Sequence, residues 1–180
     1  MLKKLLLDLS PRQTWALVAM ACIGLLGFGL YLQHVVGLEP CPMCIVQRYA
    51  MTGIALVALV AVFWHQAWRG WVMTVMGTVL ALGGAFVAAR QSWLQWYPPQ
   101  IQSCGRDFYG MVESFPLQRA IPMIFRGSGD CTKIDWTFLG GSIANWSFVA
   151  FVAMAVWMVA FAVWRQWLKT ADTIPNDLKI

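Results

Sequence analysis

Four uninterrupted apolar stretches constrain this chain more than any other feature. No charged side chain occurs from Gln13 to Leu38, from Tyr49 to Trp64, from Gly70 to Ala89, or from Trp136 to Trp164. A helix needs roughly 17–25 predominantly apolar residues to cross the hydrocarbon core of a bilayer. The second stretch reaches that length only if its helix begins near Cys44, with Arg48 at the membrane surface. Spans are therefore expected at about 15–33, 45–64, 71–89 and 144–164, with external loops at about 34–44 and 90–143. The fold class is an all-α membrane protein, a four-helix transmembrane bundle carrying two external loops.

Tryptophan supports these ends. Trp15, Trp64, Trp68, Trp71, Trp93, Trp96, Trp136, Trp146, Trp164 and Trp167 fall at or beyond the end of an apolar run, and only Trp157 sits well inside one. Amphipathic rings settle in this way at the headgroup level of a bilayer. A water-soluble chain of 180 residues could not cover its core with 12% charged and 59% hydrophobic residues,. The net charge of +5 has no basic block behind it, which argues against nucleic acid as a partner,. The lipid bilayer is the expected surrounding.

Lys3, Lys4 and Arg12 ahead of an apolar run resemble a secretory signal, and Ala19-Met20-Ala21-Cys22 a weak lipoprotein cleavage site,. The run continues past Cys22 to Leu32, too long for a signal core, so Cys22 reads as a small buried packing residue,. Four spans put both termini on one side. Lys3, Lys4, Arg12, Arg69, Arg165, Lys169 and Lys179 lie on the terminal side, and Arg48, Arg90, Arg106, Arg119, Arg126 and Lys133 on the other. That near balance decides nothing. The first helix, with three basic residues before it and none after it until Arg48, puts the termini in the cytoplasm,.

Parity then places four cysteines on the opposite, oxidising side. Cys41-Pro42-Met43-Cys44 ends the first external loop, and Cys104 and Cys131 lie in the third loop. A C-x-x-C closes too short a ring to gain much stability and is poised for exchange. It also opens the second helix, where unpaired N–H groups favour a thiolate. Arg48, one turn beyond Cys44, could stabilise that thiolate or another anion at the surface, or could simply anchor the helix. Glycines flank Cys104 and Cys131 in Gln102-Ser103-Cys104-Gly105 and Gly127-Ser128-Gly129-Asp130-Cys131. Such a setting admits a partner's thiolate, although a structural staple for a long loop has the same appearance. The apolar segments Phe115-Pro116-Leu117 and Ile121-Pro122-Met123-Ile124-Phe125 are expected to lie on the bilayer surface,.

No haem-attachment or dinucleotide motif accompanies the dithiol, so a lipid-soluble electron acceptor beside Cys44 and Arg48 is the simplest sink. A quinone takes two electrons and needs charge stabilisation when reduced. No metal site is expected, because Cys104 and Cys131 lack the paired spacing of a closed zinc site. A non-catalytic scaffold stapled by disulfides is the remaining alternative from the residues alone.

Cys41-Pro42-Met43-Cys44-Ile45-Val46-Gln47-Arg48 resembles the signature of the disulfide bond formation protein B (DsbB) family. So do Leu94-Gln95-Trp96-Tyr97-Pro98, Phe125-Arg126-Gly127-Ser128-Gly129-Asp130-Cys131 and Trp136-Thr137-Phe138-Leu139-Gly140, in the same order. The resemblance implies a bacterial inner-membrane enzyme that reoxidises DsbA, a periplasmic thioredoxin-fold dithiol oxidase, at the expense of ubiquinone or menaquinone. It implies that Cys104 takes the mixed disulfide with the partner and that Cys131 is its leaving group. Cys41 would relay the electrons and Cys44 would face the quinone. Where some members of the family carry a His at the start of the third loop, this chain has Gln91, a third candidate for the cofactor site beside Cys44 and Arg48.

Overall fold

A computed structural model describes residues 10–63, 67–98 and 129–173. Cys104 and the apolar segments between 115 and 125 lie outside the described residues. Four long helices carry the fold: α1 Pro11–His34, α2 Pro42–Phe63, α3 Ala67–Trp96 and, after a short turn α4 Gly129–Thr132, α5 Ile143–Thr173. A two-stranded hairpin, β1 Thr137–Phe138 and β2 Gly141–Ser142, precedes α5. All four long helices are sufficiently long and apolar to cross a membrane.

Local chemistry sets the helix ends. Ser10 caps α1, its hydroxyl accepting from the Gln13 amide while the Gln13 side chain accepts from the Ser10 N–H,. Pro11 occupies the first helical position, where a missing N–H costs nothing,. At the other end the chain turns through Gly37 at φ 79°, and the Leu38 N–H bonds back to the Leu32 carbonyl. This closure needs the left-handed conformation that glycine adopts without strain. Cys41 stands where the cap of α2 belongs, with Pro42 next and the Cys44 N–H donating to Cys41 Sγ at 3.3 Å.

The helices pack in the order α1, α2, α3, α5, each mainly against the next. Their shared core joins Trp15, Val18 and Cys22 of α1, Ile54 and Ala58 of α2, Ala81, Ala85 and Ala88 of α3, and Phe151 and Met154 of α5. The alanines let the backbones approach, as membrane helices do when lipid is as apolar as any side chain. Gly84 is the tightest point: a Cβ there would lie 2.4 Å from the Phe151 ring. Cys22 is fully buried with its thiol 3.5 Å from Met154 Sδ, joining α1 to α5. The outward faces carry Met20, Leu56, Val79, Phe86 and Val156, where a bundle in water would carry charge,.

Two features differ from the sequence expectation. The helix α3 runs on past Arg90 to Trp96, so Arg90 and Gln91 belong to it rather than to the third loop. A charge marks where water is reached, not where the helix ends, because long basic side chains extend along the helix surface. The second is the hairpin: α5 begins at Ile143, close to the expected 144, but the charge-free residues from Trp136 ahead of it include two paired strands where only loop was expected.

Candidate redox site

A small second core at one end of the bundle seats the cysteines. Cys41 and Met43 pack with Val87 and Leu94 of α3 and with Cys131 of α4, flanked by Cys44 and Val46. Cys131 is fully buried, and α4 rests on α3, so the end of the third loop is pressed onto the start of α2. Cys131 and Cys41 are hydrogen-bonded, bringing together cysteines from two different loops. The sulfurs of Cys41 and Cys44 are 2.8 Å apart and unbonded. The bonds with Cys131 and Cys44, together with burial, push the Cys41 thiol well above its ordinary range, so it keeps its proton in the reduced site,.

The polar neighbour of these sulfurs is Gln91. Its Nε2 donates to Cys41 Sγ and to Cys44 Sγ at 3.3 Å each. Gln47 Nε2 in turn donates to Gln91 Oε1 at 2.7 Å, which holds the amide with its NH₂ group toward the sulfurs. Both glutamines are buried. Gln47 shares a helix face with Cys44, three residues away, and that spacing was the one available signal for it,.

Of the roles open to Arg48 from the sequence, its partners here are those of a link between helices. Its guanidinium donates to the Gly29 carbonyl at 2.9 Å and to Gln33 Oε1, both on α1. The cation therefore bridges α1 and α2 half-buried, one turn below Cys44. Neither Gly29 nor Gln33 carries a signal in the sequence, since their partner is on another helix.

Several of these groups line one cavity of about 590 Å³. Cys41, Cys44, Gln47, Arg48 and Gln91 form its polar side. Leu25, Phe28, Leu32, Met51 and Phe151 form much of its apolar wall, and Trp136, Phe138 and Trp146 belong to its lining from the hairpin side. The exposed residues Glu39, Lys133 and Asp135 border it where the loops meet. Phe28 and Trp136 meet edge to face, with centroids 5.7 Å apart, joining α1 to the segment before the hairpin. The hairpin is locked to α3 and α5: Ser142 Oγ donates to Gln95 Oε1 at 2.6 Å, and Trp146 Nε1 donates to the Phe138 carbonyl at 2.9 Å.

A buried dithiol opening into an apolar cavity can pass a disulfide on one side and a pair of electrons on the other. Known proteins connect the chain with disulfide bond formation. The sequence profile described as Disulfide bond formation protein DsbB matches residues 11–161. A Disulfide bond formation protein B of Paracidovorax citrulli is 67% identical over 152 residues, covering 83% of this chain and 86% of its own. One from Acidovorax sp. strain JS42 is 64% identical over 159 residues, covering 87% and 90%. One from Azoarcus sp. strain BH72 retains 53% identity over 156 residues, covering 83% and 93%. The chain belongs to the disulfide bond formation protein B family.

Proposed function

We propose that this chain is a thiol:quinone oxidoreductase of the bacterial inner membrane, with both termini cytoplasmic and its cysteine loops periplasmic. It reoxidises a DsbA-like thioredoxin-fold dithiol protein and so supports disulfide bond formation. The single observation that carries the reading is the convergence of three cysteines: Cys131 packs against Cys41, and Cys41 and Cys44 line the polar side of a largely apolar cavity. Membership in a family of disulfide oxidoreductases supports the same chemistry.

The partner's dithiol attacks the Cys104–Cys131 disulfide, Cys104 takes the mixed disulfide and Cys131 leaves as the thiolate. A second partner thiolate releases its own disulfide. Cys131, held against Cys41, then attacks the Cys41–Cys44 disulfide at Cys41, and Cys44 departs with the electron pair. Gln91 donates to either sulfur in turn, and Gln47 fixes the amide that does so. Return of the Cys104 thiolate to Cys131 restores the loop disulfide and leaves Cys41 and Cys44 as a dithiol.

The cavity's chemistry fits a quinone head group. Its walls are apolar, a hydrogen-bond donor and a cation lie at the sulfur end, and it is flanked by α1 and α5, which pack mainly on other helices. Cys44, Arg48 and Gln91 would hold the head group. A bound quinone supplies an acceptor for two electrons and two protons. Arg48 would supply positive charge beside the head group, and its two bonds to α1 keep the guanidinium in place,.

The test is a balance of equivalents. The protein in lipid nanodiscs with excess ubiquinone receives reduced DsbA, and thiol loss is measured together with quinone reduction. One quinone reduced for each dithiol oxidised is expected. Thiol oxidation without matching quinone reduction would overturn the proposal.

A further inference from the structure

We propose that the hairpin Thr137–Ser142 is a bilayer anchor, its tip Leu139 seated among lipid chains beside the first turn of α5. Four observations bear on it independently. The fourth charge-free run begins at Trp136 although the helix begins only at Ile143, so the hairpin is as free of charge as the span it precedes. Second, Leu139 is 82% exposed and Phe138 is 54% exposed, the most apolar part of the hairpin being the least covered by protein.

Third, the hairpin does not project away from the bundle. The Trp146 indole donates to the Phe138 carbonyl, and a Cβ on Gly141 would stand 2.9 Å from Trp146 Nε1. The hairpin is thus folded flat along the first turn of α5, with its tip beside the span. Trp136, Phe138 and Trp146 form a ladder of rings with successive centroids 6.1 Å apart, the kind of aromatic belt that settles at a bilayer surface,. Along α5 the apolar surface continues through exposed Phe148 and Val149.

Fourth, the turn chemistry is wrong for water. Leu139 at φ 49° and Gly140 at φ 78° form a two-residue turn with both centres in the left-handed region. In water that turn favours Asn-Gly or Asp-Gly. A leucine there is strained and exposes its side chain, so its retention needs a compensating apolar contact. No protein group supplies that contact among the described residues, whereas lipid does. The paired strands satisfy hairpin backbone groups internally, as burial near hydrocarbon requires,. Only four residues, 133–136, separate α4 from the hairpin, so the anchor also restrains Cys131 beside Cys41.

The experiment places the photoreactive residue p-benzoylphenylalanine at position 139 of the full chain, in vesicles of phosphatidylethanolamine and phosphatidylglycerol. Position 149, on the exposed face of α5, is the lipid reference, and position 133 is the aqueous one. Lipid adducts at 139 are expected within about twofold of those at 149 and at least about fivefold above those at 133, as an interfacial apolar tip requires. Adducts no more frequent than at 133, or adducts to protein in place of lipid, overturn the anchor. A second variant covers the chance that the probe distorts the turn. Leu139→Asn suits the turn itself, so a tip in water gains stability from it and a tip in lipid loses it. The thermal midpoint in nanodiscs is expected to fall, and an unchanged or raised midpoint refutes the proposal.

Discussion

Replacing Arg48 separates its two tasks. The guanidinium bonds the Gly29 carbonyl at 2.9 Å and the Gln33 amide oxygen, and the same group lines the cavity that we assign to the quinone. A hydrogen bond to a charged group contributes about 1.5–3 kcal/mol, and about 1.4 kcal/mol is tenfold in affinity. Arg48→Met removes the cation from the head-group site, so the quinone KM should rise roughly tenfold or more. Arg48→Lys keeps the charge but lacks the planar fork, so it can satisfy Gly29 or Gln33 and not both at once. An intermediate rise is expected. Gln33→Leu keeps the guanidinium and loosens its anchor, and should raise KM by about two- to threefold, in line with a partly lost bond. The assay pairs steady-state quinone reduction with a single-turnover measurement of partner oxidation by excess protein. The single-turnover exchange should stay near the wild-type rate in all three variants. Arg48→Met with unchanged quinone KM and turnover would leave Arg48 as a tether between α1 and α2 and nothing more.

The other expectations concern the neighbours of that site. Gln91→Leu removes two N–H···S contacts and strands the buried Gln47 amide, so turnover should fall at least severalfold and the thermal midpoint should drop, checked by quinone reduction and a melting curve; Gln47→Leu should lower turnover less,. Gly84→Ala forces a methyl into the buried Phe151 ring, costing about 1–3 kcal/mol, and a melt unchanged from wild type would contradict the packing,. Cys131→Ser should trap a mixed disulfide between Cys104 and the soluble partner on a non-reducing gel; an adduct that forms equally well without Cys104 would contradict the assignment. Cys22→Ser should leave turnover nearly intact, because its thiol touches Met154 in the core and, among the described residues, no other cysteine.

Charge gaps and tryptophans were enough to read the four helices, because bilayer solvent imposes one rule on every span. Helix ends were less legible. Arg90 interrupts the third apolar run, yet backbone hydrogen bonding continues to Trp96, and this puts Gln91 on a rigid helix against the sulfurs. The hairpin left no turn signal, since Leu139-Gly140 is not a pair that such turns usually use,. Cys41 and Cys44 were legible as a local motif. Their polar setting was not, because Gln91 reaches Cys41 across 50 residues and Arg48 reaches Gly29 across 19. Periodicity and spacing report neighbours along one helix, whereas this site is assembled from three helices and a loop end.

The central claim is that electrons leave the protein through Cys44 into the cavity beside Arg48. Cys44→Ser tests it most directly, in nanodiscs with excess ubiquinone and reduced DsbA. The substitution leaves Cys41 and its contact with Cys131 in place but removes the sulfur from which the pair departs. Quinone reduction should fall to the level of the uncatalysed mixture, while Cys104 still exchanges with the partner. Quinone reduction at the wild-type rate in Cys44→Ser would contradict the electron path.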